Sequence, residues 1–109
     1  MAVDEDLAQR IREALAERTD VTERRMFGGL AFMVGGHMTV GVRDDSIMAR
    51  VGKPSHEDAL SQPHARVMDF TGREMRGYVY VDAPGIATDD DLGAWLDRCI
   101  AFTQTLPPK

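Results

Sequence analysis

The apolar positions change period twice along the chain. Val3, Leu7, Ile11, Ala14 and Leu15 recur at helical spacing and form one stripe, which predicts a helix from about Asp4 to Arg18. Asp4 suits its N-cap, and Glu5 and Asp6 suit the positive end of the helix dipole. Thr19-Asp20 breaks the pattern, and from there the period becomes two. The runs Thr22 to Phe27, Leu30 to Val34, His37 to Arg43 and Ser46 to Val51 read as strands, joined at Gly28-Gly29, Gly35-Gly36 and Asp44-Asp45. Short apolar runs joined by a Gly-Gly pair signal a hairpin. Simple alternation puts Met38, Val40 and Val42 on one face and Thr39 and Gly41 on the other, and Ile47, Ala49 and Val51 opposite Met48 and Arg50. Such a meander suits an antiparallel sheet with one covered face.

Pro54 opens a short helix to about Leu60, which Pro63 stops. Two weaker strands follow, Ala65 to Phe70 and Gly77 to Asp82, and the polar segment Thr71 to Arg76 between them reads as a turn. The last helix has Thr88 as N-cap and Asp89, Asp90 and Asp91 in its first turn. Leu92, Trp95, Leu96, Cys99, Ile100 and Thr103 make one apolar face, and Pro107-Pro108 bars continuation. The expected fold is α+β: an antiparallel sheet of about five strands in the order α-β(3-4)-α-β(2)-α, with helices packed on one face. No internal repeat and no long linker divides the chain, so one domain over residues 1–109 is expected.

Charge adds a local contrast. The net charge is −5, with three surplus acidic charges in each of residues 1–20 and 82–109. The stretch between them is nearly balanced and holds Arg24, Arg25, Arg43, Arg50, Lys53, Arg66, Arg73 and Arg76. This is either an ordinary solvated surface or a basic face on an acidic protein. The acidic balance argues against direct nucleic-acid binding. No apolar run is long enough for a bilayer, the acidic N-terminus is unlike a secretory signal, and the single cysteine permits no intramolecular disulfide, so a cytoplasmic protein is expected.

Catalytic chemistry is hard to find. Cys99 lies on the apolar stripe of the last helix and reads as a core thiol. Ser46, Ser55 and Ser61 carry no nucleophile elbow, and His37, His56 and His64 fit no metal-ligand spacing. Neither glycine pair matches a phosphate loop or opens a helix. Catalytic residues, metal ligands and cofactors are therefore all expected to be absent. Six of the seven methionines, Met26, Met33, Met38, Met48, Met68 and Met75, fall in or beside strands, either as core filling or as an adaptable partner-binding surface.

The segment Arg25-Met26-Phe27-Gly28-Gly29-Leu30-Ala31-Phe32-Met33-Val34-Gly35-Gly36-His37-Met38 resembles the N-terminal domain of the TfoX/Sxy family. Members open that domain with a helix, then an R-M-F-G-G-x-x-F segment, a small-residue turn and a further strand. The likeness extends through Gly52-Lys53-Pro54 and Gly77-Tyr78-Val79-Tyr80-Val81 to the capped, Trp-containing helix. The resemblance implies an antiparallel α+β fold similar to the secretion-chaperone-like arrangement. It also implies a regulatory role in natural competence, with a protein partner of the cAMP receptor protein type. Longer members carry a second, helical domain, whereas this sequence ends at Lys109.

The leading expectation is a non-enzymatic, protein-binding regulatory module. The alternatives are a small ligand-binding domain or enzyme with a site assembled in the fold, or direct DNA binding through an arginine face. Arg25, Met26, Phe27, Gly28, Gly29 and Phe32 are expected to be structural, with Phe27 inserted in the core. Arg24, Met33, Arg43, Met48 and Arg50 are the expected interaction surface. An apolar patch of Met33, Met48, Thr39 and Gly41 away from the helices would favour a homodimer.

Overall fold

The computed structural model describes residues 3–26, 28–70 and 72–107. Helix α1 spans Glu5–Ala14, and strands β1 to β4 are Val21–Met26, Gly29–Val34, His37–Arg43 and Ser46–Arg50. A 3-10 turn at Lys53–Ser55 leads into helix α2, His56–Leu60. Strands β5, Ala65–Phe70, and β6, Arg73–Val81, follow, then a 3-10 turn at Ala83–Ile86 and helix α3, Asp89–Thr103. Both long helices are capped as their sequences dictate. Asp4 accepts from the Leu7 N–H and Thr88 from the Asp91 N–H.

The sheet has six antiparallel strands in the order β1-β2-β3-β4-β6-β5. That is one more than the expected five, and all six runs read as strands take a place in it, Val21–Met26 pairing along its whole length with β2. Strand β6 also begins earlier than expected. Arg73 and Glu74 pair with Phe70 and Asp69, so the polar segment read as a turn is largely strand. Helix α1 is shorter than expected and ends at Ala14, since its apolar stripe stops at Leu15 and only single turns follow.

Register divides the sheet into two faces. On one, the row Arg25–Leu30–Val42–Ile47–Val81–Ala65 runs across all six strands, beside the row Glu23–Phe32–Val40–Ala49–Val79–Val67. Leu7, Ile11, Ala59, Leu92, Trp95 and Leu96 of the helices pack on these rows to form the main core. On the other face runs the row Arg24–Ala31–Gly41–Met48–Tyr80–Arg66. A second buried cluster of Ala31, Met33, Met38, Met48, Met68 and Tyr80 lies there.

A bulge in the β2–β3 ladder corrects the simple alternation. Met38 joins the second cluster, while Val40 and Val42 remain in the main core. Thr39 is buried and its hydroxyl lies 3.5 Å from that of Thr103 on α3, so it faces the helices instead of the opposite side. No helix among the described residues is long and apolar enough to cross a membrane.

Candidate interaction surface

The motif segment shows two different uses of glycine. Gly28 has φ +74, in the left-handed region, with open space where a side chain would stand. Gly29 is extended, and a Cβ there would collide with the Val42 carbonyl oxygen of β3. The β2–β3 approach therefore requires Gly29 itself. Phe32 is fully buried in the main core, and Arg25 is exposed at its rim. The expected insertion of Phe27 lies outside the described residues, as does the side chain of Met26.

The helix-free face is built from small residues, methionines and a polar cover. Ala31 and Gly41 are cross-strand neighbours, and together they leave a hollow in the sheet surface. Met48 and Met38 fill it: a Cβ on Gly41 would lie 2.6 Å from the Met48 methyl and 3.5 Å from that of Met38. Unbranched thioether side chains suit such an irregular gap. Over them, Arg43 donates to the Tyr80 hydroxyl at 3.0 Å. The Arg66 guanidinium stacks 4.7 Å above the Tyr80 ring and binds Asp82 at 2.9 Å. Arg50 donates to the Met38 carbonyl at 3.2 Å and stacks on both Tyr78 and Phe102.

This arrangement corrects the expected apolar patch. Met48 is 0% exposed and Met33 is 8%, so neither is a surface residue. Arginine and tyrosine side chains lie across the face and cover the methionines. Among the described residues Val67, on the outer strand β5, is the large hydrophobic side chain left exposed. Arg24, Arg43 and Arg50 do reach the surface of this face. Tyr78, Tyr80 and Arg66 also belong to it, and only cross-strand register, invisible in the sequence, places them there.

Charge pairing distinguishes the arginines. Arg10, Arg12, Arg18, Arg66, Arg76 and Arg98 each have a carboxylate within salt-bridge reach. Arg24, Arg25, Arg43 and Arg50 have none among the described residues. Hydrogen bonding from Arg66 holds the Asp82 carboxyl below the ordinary carboxylate range, and Arg12 does the same to Glu23.

The histidines lie in unlike surroundings. His56 is fully buried, its Nδ1 accepts from the Gly77 N–H at 3.0 Å, and its Nε2 faces a Glu74 oxygen at 3.1 Å. That pattern fixes the Nε2–H tautomer and ties α2 to β6. His37 Nε2 lies 2.6 Å from the Pro107 carbonyl. His64, with φ +66, borders an open cleft of about 350 Å³ that also touches Gln62, Trp95 and Arg98. Burial pushes the Cys99 thiol up to about 12. Among the described residues no group of three or more His, Cys, Asp or Glu is placed to hold a metal ion.

A six-stranded antiparallel sheet backed by capped helices, entered through an R-M-F-G-G segment, defines a small α+β domain of a recognisable class. The family model described as the TfoX N-terminal domain matches residues 13–103, and the chain belongs to that family, which is associated with competence regulation. No curated protein and no solved structure matches the chain.

Proposed function

We propose that this protein is a non-enzymatic regulatory module that binds a protein partner through the helix-free face of its sheet. The observation that carries this reading is that Arg24, Arg43 and Arg50, on one face of a chain whose net charge is −5, have no carboxylate within salt-bridge reach among the described residues. Charge of one sign concentrated on one face steers and orients a partner of the other sign. The non-enzymatic part is supported by the histidines and the cysteine. His56 is spent on a β6 backbone amide, and Cys99 is a core thiol kept protonated at neutral pH. Membership of the TfoX N-terminal domain family supports a place in competence control, and the partner we propose is a transcription regulator of the cAMP receptor protein type.

A second reading, direct DNA binding, draws on the same arginines, since Arg24 and Arg66 stand at the two edges of one row across the face. Capture from native extract, with nuclease-treated and untreated arms, separates the two. The parent chain should retain its partner in both arms, and Arg24→Glu should release it without a change in melting temperature. Capture that disappears on nuclease treatment would favour DNA. Capture indifferent to Arg24, Arg43 and Arg50 alike would remove this face from the function.

A further inference from the structure

Beside the helix-free face, Arg50 also borders a groove between the C-terminal part of α3 and the 51–54 loop. Two clefts of about 330 and 360 Å³ meet there, sharing Pro54 and the Phe102 ring. Tyr78 closes one cleft, and Val51 and Ala101 line the other. The rim is cationic, with Arg50, Lys53 and Arg76 on one side and Arg98 on the other. Arg50 and Lys53 have no carboxylate partner among the described residues. Arg76 and Arg98 are held by Glu57 and Asp58, whose side chains are 77% and 68% exposed.

The groove is already shaped. Gly52, at φ +86, lies so close beneath Phe102 that a Cβ there would run into the ring. The Gly77 carbonyl accepts from the Val51 and Gly52 N–H groups at 2.8 and 3.0 Å, and the Gly77 N–H is held by His56. Phe102 and Tyr78 both stack on Arg50, at 5.4 and 5.7 Å. Walls fixed in this way spare a ligand much of the ordering cost of binding.

We infer that this groove receives an acidic segment of the protein partner that carries two bulky apolar side chains, one on each side of Phe102. Each open cleft has room for a large side chain, and the cationic rim complements carboxylates flanking the anchors. The inference rests on the protein-binding reading above and names the chemistry of the partner's contact. It uses Lys53, Arg76, Arg98 and Phe102, none of which lies in the row of Arg24.

The test uses a fluorescently labelled glutamate-rich peptide bearing two leucines, titrated into the full chain at low salt and followed by anisotropy. Two control peptides replace the leucines by serine or the glutamates by lysine. The leucine–glutamate peptide should bind at least about tenfold more tightly than either control, since both anchors and charge contribute. Lys53→Glu, at an exposed position, should weaken it by about tenfold, while Phe102→Ser should abolish the preference for leucine over serine. Equal binding of all three peptides, or binding unmoved by Lys53→Glu and by Phe102→Ser, would overturn the inference. A Lys53-dependent self-association that excludes the peptide would also overturn it, by making a second copy the occupant. If the peptide fails while Arg24→Glu still releases the partner from extract, the groove is wrong and the protein-binding reading stands. If both fail, that reading falls with it.

Discussion

The two faces of the sheet bury apolar side chains in different ways. The helix-covered face is aliphatic and aromatic, with Leu30, Phe32, Val40, Val42, Ile47 and Val79 sealed by α1 and α3. The opposite face is methionine-rich, and its cover is a layer of arginine and tyrosine side chains from the sheet itself. Branched side chains in a close-packed core have few alternative arrangements, whereas methionines adapt to a changing surface. The first face therefore holds the fold, and the second is the one proposed to meet a partner.

Truncations on the helix side should be the most damaging. Trp95 is 6% exposed within the α3 stripe, so Trp95→Ala should cost about 3–5 kcal/mol in denaturant unfolding. Strong quenching of native Trp95 fluorescence by iodide would contradict its burial.

Ile47 and Met48 give the sharpest comparison, being adjacent, both 0% exposed, and on opposite faces. Each truncation to alanine should cost about 2–5 kcal/mol, but conservative exchange should separate them. Met48→Leu should cost under about 1.5 kcal/mol, and Ile47→Met should cost more than Met48→Leu in parallel urea melts. Equal tolerance at both sites would dissolve the distinction between the faces. Because Met48 is buried, Met48→Glu should unfold the protein.

The glycine pair separates conformational strain from steric contact. Gly28→Ala should cost about 1 kcal/mol for its left-handed backbone alone, while Gly29→Ala, directed at the Val42 carbonyl, should cost more. Thermal melts of the two variants decide this, and the reverse order would contradict the close approach of β2 and β3.

The smallest effect is electrostatic. Asp82 titrates lower when folded than when unfolded, because Arg66 hydrogen-bonds its carboxylate. Its contribution is complete above the ordinary carboxylate range, near pH 4, and is lost as pH falls through the lower folded value. The pair is well exposed, so the loss should be a few tenths of a kcal/mol. Melting temperature followed from pH 6 down to 2 should fall less for Asp82→Asn than for the parent.

Much of the fold was legible in the sequence because local rules decided it. The α3 stripe, its Thr88 cap and the Gly35-Gly36 turn depend only on residues near each other in the chain. The errors arose where long-range pairing decided. No local signal shows the bulge that turns Thr39 toward Thr103, or the placing of Glu74 beside His56. Arg24, Arg43 and Arg50 were readable only as members of a basic stretch, and it is the β1–β4 pairing that puts them on one face. Tyr80 and Arg66 join that group only through insertion of β6 between β4 and β5.

The central claim is that the partner engages the methionine and arginine face, with the helix-covered core as a rigid support. Methyl-labelled methionines report on it directly, since Met33, Met38, Met48 and Met68 lie in that face's cluster. Methyl NMR spectra of the chain alone and with the partner recovered from extract should show these four signals shifting while the methyl signals of Ile11, buried under α1 in the main core, stay in place. Shifted Ile11 signals with these methionine signals unchanged would contradict the account.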